Sequence, residues 1–351
     1  MKQRDLSLDI LRILACFMVV LMHSPLPSEH ANGPFLTGLS YLTAPCIGLF
    51  FMVSGALLMP VKTDYFTFLK RRFGKIIVPT VLWSLLYIAL NIYNSESEIN
   101  ILQSIASIPL SAQGEGVLWF MYTLAGLYLL APILSAWVEK ASKRELQLIL
   151  SLWGVTLCYP IFDFFLLTNT STTGILYFVG GYGGYFLLGC YLKKYPDSLS
   201  SVALWGITLC GIGLLLCLKH LGIRFDFYQL FWYESIFIAA FATAIWKLVV
   251  YNSSNMSKYK DVIAFVGGGK SKVVLLSNIS FGVYFIHILI MRHWLWNMEW
   301  IRAISNYPLQ CVTIAVLTML LSTAACIVIA ILPRSEWIIG FHLKRNRAST
   351  T

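Results

Sequence analysis

The residues of this chain best able to move a proton or hold an anion are Asp9, Arg12, His23, Asp163, Glu234 and His287. Three of them share the first apolar stretch. At about 100° per residue, the eleven steps from Arg12 to His23 turn about 1100°, roughly 20° past three full turns, so both lie on one helix face about 16 Å apart along the axis. An imidazole titrates near neutral pH and can take a proton from a hydroxyl. A guanidinium grips phosphate with two parallel hydrogen bonds. Asp9 lies one turn before Arg12 and is placed to pair with it. The plainer reading makes Asp9 and Arg12 an internal ion pair and His23 a helix cap at an interface. Ionisable groups in a membrane span cost about 2.5–3.5 kcal/mol each on insertion scales and are candidate functional groups by default, so both readings stand.

His287 is the second candidate base, with Glu234 or Asp163 as the carboxylate that orients either imidazole. The competing reading of His287 is an interfacial belt with Tyr284. Lys70, Arg71, Arg72 and Lys75 form a dense basic patch suited to a phosphorylated ligand, although cations flank any cytoplasmic turn. Ser54-Gly55 and the run Gly180 to Gly184 are read as helix-packing positions, because small residues let membrane helices approach. Ser54 has no base predicted at its depth. Trp119 and Tyr122 are read as interfacial anchors with a possible second use in stacking on a sugar ring. Gly267 to Ser271 lacks the spacing and the setting of a phosphate loop and is read as a cytoplasmic linker. The eight cysteines form no C-x-x-C pair, suggest neither a metal site nor a disulfide framework, and read as small buried hydrophobes.

The elements that must carry these residues follow from composition. Of 351 residues 58% are hydrophobic and 12% charged, against about 25% charged in soluble domains. A single water-soluble domain and a disordered chain are both excluded. The 22 Phe, 18 Tyr and 11 Trp suit a protein with many membrane–water interfaces to line. The net charge of +10 does not indicate nucleic acid, since the cations punctuate apolar runs instead of gathering on one face. The N-terminal stretch has a positive start but no A-x-A site, and is read as an uncleaved first span.

The expected fold is all-α and polytopic, a single transmembrane domain over 1–351. A span needs about 20 mostly apolar residues, and ten segments qualify: 6–24, 41–60, 75–93, 117–138, 146–168, 174–192, 201–218, 230–250, 273–292 and 311–332. When cations at span ends are counted with the connections, alternate connections hold 21 and 4 Lys and Arg, and Arg12 alone stays deep inside a span. The positive-inside rule then puts both termini in the cytoplasm, Arg12 in the cytoplasmic half and His23 near the outer face.

The stretch LDILRILACFMVVLMHS, holding Arg12 and His23, resembles the first-helix signature of the membrane-integral acyltransferase-3 family. GLFFMVSGALL (48–58), FLKRRFGKIIVP (68–79), LWFMYTLAGLYLLAPIL (118–134) and SFGVYFIHILI (280–290) resemble further family segments in the same order. The Trp-Ser-Leu-x-Val-Glu-Glu segment of the larger polysaccharide-modifying branch is absent, Leu118 to Tyr122 standing in its place, and the chain stops soon after the tenth span. The resemblance is therefore to the short, stand-alone branch of surface-glycan O-acetyltransferases in the bacterial inner membrane. It implies acetyl-CoA as co-substrate, no metal, and a lipid-linked or surface glycan as acceptor. Arg12, Lys70, Arg71, Arg72 and Lys75 would face the donor, and His23, Arg12, His287 and Glu234 the chemistry. The rival class is a secondary transporter or glycan flippase using the intramembrane charges as a relay. Many transporters show paired halves, and no second Arg–His pattern occurs in 175–351. A non-catalytic scaffold or sensor is a third reading, and it leaves Arg12 without purpose.

Overall fold

The computed structural model describes residues 4–27, 33–94, 100–166, 174–255 and 269–343. Among them every regular element is helical, the form that satisfies its own backbone in lipid. In chain order the α-helices are α1 (Leu6–His23), α2 (Pro34–Thr43), α3 (Pro45–Leu58), α4 (Tyr65–Asn94), α5 (Ile101–Ser107), α6 (Trp119–Lys140), α7 (Lys143–Thr156), α8 (Tyr159–Leu166), α9 (Gly183–Lys194), α10 (Ser201–His220), α11 (Phe227–Leu230), α12 (Ile236–Asn255), α13 (Gly269–His293), α14 (Glu299–Arg302), α15 (Tyr307–Ile331) and α16 (Glu336–Ile339).

Eight segments among the described residues are long and apolar enough to cross a bilayer: Leu6–His23, Pro34–Leu58, Tyr65–Tyr93, Gly116–Lys140, Lys143–Leu166, Ser201–His220, Lys272–Asn297 and Tyr307–Ile331. The protein is an all-α polytopic membrane protein. The other two expected spans, 174–192 and 230–250, fall on α9 and on α12, whose apolar part is the shorter stretch Ile236–Tyr251. Helix α9 has 12 residues, about 18 Å at 1.5 Å per residue. Its residues Gly184 to Leu192 are all buried by neighbouring helices, and non-helical backbone at membrane depth is tolerated where protein covers it or it lines a cavity. Of the Gly267–Ser271 stretch, Gly267 and Gly268 lie outside the described residues and the remainder opens α13.

By its internal contacts the chain divides into two compact units. The first takes Met1–Pro60 and Leu134–Ser277, the second Val61–Ile133 and Asn278–Thr351, so that α6 and α13 contribute to both.

In the first unit α3 and α9 meet backbone to backbone. A Cβ on Gly55 would fall 1.8 Å from the Phe186 carbonyl oxygen, and one on Gly189 1.9 Å from that of Met52. Gly48 is seated on the Tyr185 ring and Gly184 on the Trp153 indole, with a Cβ meeting ring atoms at 2.6 and 2.1 Å. Ser54-Gly55 and Gly184 are thus packing positions, as their residue types suggested. A second cluster gathers Tyr41, Leu215, Leu218, Phe231 and Phe237, with the Tyr41 hydroxyl donating to the Thr208 carbonyl at 2.9 Å.

The second unit is pinned by aromatic side chains that bond carbonyls of neighbouring helices. Trp83 Nε1 donates to Ile338 O at 2.9 Å and the Tyr87 hydroxyl to Phe285 O at 2.6 Å. The Tyr284 hydroxyl donates to Val117 O. Arg292 pairs with Glu115 at 2.8 Å.

Two of the cysteines depart from the expectation of burial. Cys210 and Cys217, both on α10, are exposed.

Gly189→Ala should force α3 and α9 apart at a contact that has no side chain to give way. We expect a loss of about 1–3 kcal/mol, read as a fall in melting temperature in detergent. Gly213→Ala, where nothing lies within 4 Å of the added carbon, should be neutral or stabilising by up to about 1 kcal/mol. Equal effects from the two substitutions would contradict the backbone contact.

Candidate active site

Helix α1 begins where Asp5 caps it, its carboxylate accepting from the Ser7 backbone N–H at 3.0 Å and the Ser7 hydroxyl at 2.6 Å. Continuous helix from Leu6 to His23 puts Arg12 and His23 on one face, as the spacing predicts.

Asp9 does not take Arg12 as its ion-pair partner. Its carboxylate accepts two hydrogen bonds from Arg4, from Nε and Nη2, each at 2.7 Å. A third comes from the Ser277 hydroxyl at 2.6 Å. Arg12 Nη1 lies 3.4 Å from the same Ser277 oxygen. Arg4 prevails for a geometric reason: it precedes the cap, so its fork folds back along the helix and meets both carboxylate oxygens in one plane. The bond to Asp9 raises the pKa of Arg4 above its already high value. Arg4 and Ser277 are members that sequence reasoning missed. Arg4 counted only as a topological charge, and Ser277 is 268 residues from Asp9 along the chain.

His23 is half-buried, with Nδ1 2.9 Å from the Val19 carbonyl. A carbonyl only accepts, so Nδ1 carries the proton and, in the neutral ring, Nε2 holds the lone pair. The preceding residue touches another helix start: the Tyr233 hydroxyl lies 3.4 Å from Met22 Sδ. This side-chain contact links the residue before His23 to the residue before Glu234.

Beyond that contact the first unit contains a cleft of about 470 Å³ lined by Thr156, Tyr159, Asp163, Tyr177, Gln229 and Glu234, among others. The two carboxylates expected to orient an imidazole line this one cleft. Gly180 and Gly181 form part of its wall, so the glycine run serves two purposes. Gly184 packs, whereas Gly181 adopts φ +79° and offers its carbonyl to Trp153 Nε1 at 2.9 Å. Tyr159, Tyr177 and Gln229 carried no signal in the sequence, since each sits where a helix breaks.

The second unit holds the remaining candidates. His287 is fully buried, its ring 5.7 Å from that of Tyr284. Its Nδ1 is 2.5 Å from Tyr284 O, so the lone pair of its neutral ring is also on Nε2. Lys70, Arg71, Arg72 and Lys75 are all exposed on α4.

A family model described as an acyltransferase domain matches residues 5–331. No curated protein and no solved structure matches the chain.

If Arg4 is the partner of Asp9, a double-mutant cycle will show it. Arg4→Ala and Asp9→Ala should each cost about 1–2 kcal/mol, the half-exposed Arg4 being partly compensated by water. They should be clearly non-additive, with a coupling of at least about 0.5 kcal/mol. A larger coupling of Asp9 to Arg12 than to Arg4 in thermal unfolding would reject the observed pairing.

Proposed function

Because the chain belongs to the acyltransferase-3 family, we propose that it moves an acetyl group from cytoplasmic acetyl-CoA to a hydroxyl of a surface or lipid-linked glycan, in a bacterial inner membrane. Acyl transfer follows from the family; the donor, the acceptor and the membrane are our reading. The observation that carries it is α1 itself. One uninterrupted helix bears a guanidinium and, about three turns along the same face, an imidazole whose Nδ1 is engaged by a backbone carbonyl.

In this reading His23 Nε2 takes the proton of the acceptor hydroxyl as the oxygen attacks the thioester carbonyl carbon. The C–O bond forms, the C–S bond breaks, and the imidazolium returns the proton to the departing thiolate. The products are an O-acetyl glycan and free CoA thiol. Arg12 meets a donor phosphate or orients the pantetheine arm, and Lys70, Arg71, Arg72 and Lys75 suit the donor by charge. Of the two imidazoles His23 is favoured, because a general base must reach its substrate and His287 is wholly enclosed. The orientation assumed has both termini cytoplasmic and His23 near the outer face, as the Lys and Arg distribution supports.

The test is transfer of radiolabel from acetyl-CoA to a crude surface-glycan extract by purified protein in detergent. We expect wild-type labelling and a loss of at least about 100-fold in His23→Ala, the range for removing a general base. Arg12→Ala should lose activity comparably, while both variants keep wild-type melting temperatures. Unchanged labelling in His23→Ala would remove its assigned role. A wild-type protein that binds no acyl-CoA would favour a transporter or flippase.

A further inference from the structure

We propose that the corner of the second unit formed by Arg292 and Trp296 is a binding site for a phosphate carried at the membrane surface. The assignment of that phosphate to the acyl acceptor would rest on the reading above; the site itself does not.

Helix α13 ends at His293, and the chain then folds back on it. Asn297 Nδ2 donates to the carbonyls of Arg292 and His293 at 3.4 and 3.2 Å. Arg302 fixes the same turn, its Nε donating to Trp296 O at 2.6 Å and its Nη2 to Asn297 Oδ1 at 3.0 Å. The turn brings the Trp296 indole against the Arg292 guanidinium, whose central carbon lies 5.6 Å from the ring centroid. Glu115 holds Arg292 as well, at Nη1 and 2.8 Å. Two neighbours thus position the guanidinium, and neither takes up the edge between Nε and Nη2.

That edge chooses the ligand. Arg4 shows its use in this same protein, where Nε and Nη2 together hold both oxygens of Asp9. In Arg292 the Nε atom is closed to water and bonds none of the described residues, and the same holds for Trp296 Nε1. Buried polar groups in native proteins are nearly always bonded, so two such donors on adjoining side chains call for an acceptor. A purely structural ion pair with Glu115 accounts for Nη1 and leaves both of them unmet. The Arg292 side chain is still 35% exposed, which gives a ligand its approach. An oxyanion with two oxygens in one plane fits the fork of an arginine.

Depth then favours phosphate over other oxyanions. The apolar segment Lys272–Asn297 is long enough to cross a bilayer and ends at this turn. Trp294 and Trp300, on either side of Trp296 in the chain, are exposed, and indoles settle at the level of the lipid headgroups. The anions of that level are phosphates, borne by a phospholipid or by a lipid-linked glycan. On the orientation assumed above, the turn lies at the outer face.

The experiment measures binding, apart from turnover. Full-length protein in dodecyl maltoside is titrated with dihexanoyl phosphatidylglycerol, with decyl glucosyl phosphate and, as an uncharged control, with decyl glucoside, and its melting temperature is followed. We expect at least one phosphate amphiphile to raise the melting temperature saturably and decyl glucoside to leave it unchanged. Arg292→Lys keeps a cation for Glu115 but loses the fork, and Trp296→Phe keeps a ring but loses the N–H. Each should weaken phosphate binding about tenfold or more. Trp296→Phe spares the ion pair, so it carries the test should Arg292→Lys fail to fold. The proposal is overturned if neither phosphate binds better than decyl glucoside, or if either folded variant binds like wild type. Binding of either phosphate supports the site, and the tighter of the two names its source, bilayer or acceptor. Phosphate binding without acyl transfer would sink the proposed function and leave this site standing; acyl transfer with no phosphate bound here would do the reverse.

Discussion

The contact on which the first unit depends is the approach of α3 to α9 through facing glycines. Each helix presents a glycine to the other's backbone carbonyl, Gly55 to Phe186 and Gly189 to Met52. Apolar side chains gain little by leaving lipid for one another, so membrane helices associate through close van der Waals packing, and only glycine permits this separation. The contact also fixes where α9 begins. With Gly184 under the Trp153 ring and the Trp153 N–H on Gly181 O, the chain before Gly183 is held at the wall of the cleft and does not continue as helix. One packing constraint thus accounts both for the shortness of α9 and for the open space beside it.

Charge is handled by a different device. Carrying Asp9 and Arg12 on one membrane helix is costly unless each finds partners, and intrahelical pairing looks the cheapest arrangement. The chain instead brings Arg4 back from outside the helix to saturate Asp9 with a planar two-point contact. Ser277 is shared between Asp9 and Arg12, which ties the start of α1 to α13 within the first unit. Asp9 becomes a structural anion, and the side chain that sequence spacing assigned to it is directed to a hydroxyl.

Much of this was legible in the residues. Composition dictates an all-helical membrane chain. The 3.6-residue period puts Arg12 and His23 on one face of a helix that is in fact continuous, and Asp163 and Glu234 were singled out before any geometry linked them. What stayed hidden depends on helix interruptions. Hydropathy sees an apolar run at 174–192, but it cannot see that Gly181 takes a positive φ or that the chain from 174 to 182 forms no α-helix. Reading spans as uninterrupted cylinders therefore erased the cleft, along with Tyr159, Tyr177 and Gln229, which matter only because backbone turns there. Likewise Arg4 scored as a marker of topology, since spacing rules describe pairs within a helix and Arg4 reaches in from beyond its cap.

The two imidazoles show how a fold can set proton inventory without a dedicated carboxylate. His23 bonds the carbonyl four residues before it and His287 the one three before it. A helix carbonyl has two lone pairs and gives only one to the N–H four residues on, so it has spare acceptor capacity. An imidazole one turn on can use it and thereby fixes its own tautomer, with Nε2 as the basic nitrogen in both rings. The sequence suggested that an acid such as Glu234 or Asp163 would do this orienting. With the tautomer of His23 already fixed by Val19 O, those carboxylates are not needed for that task. Asp163 and Glu234 instead line the cleft of the first unit.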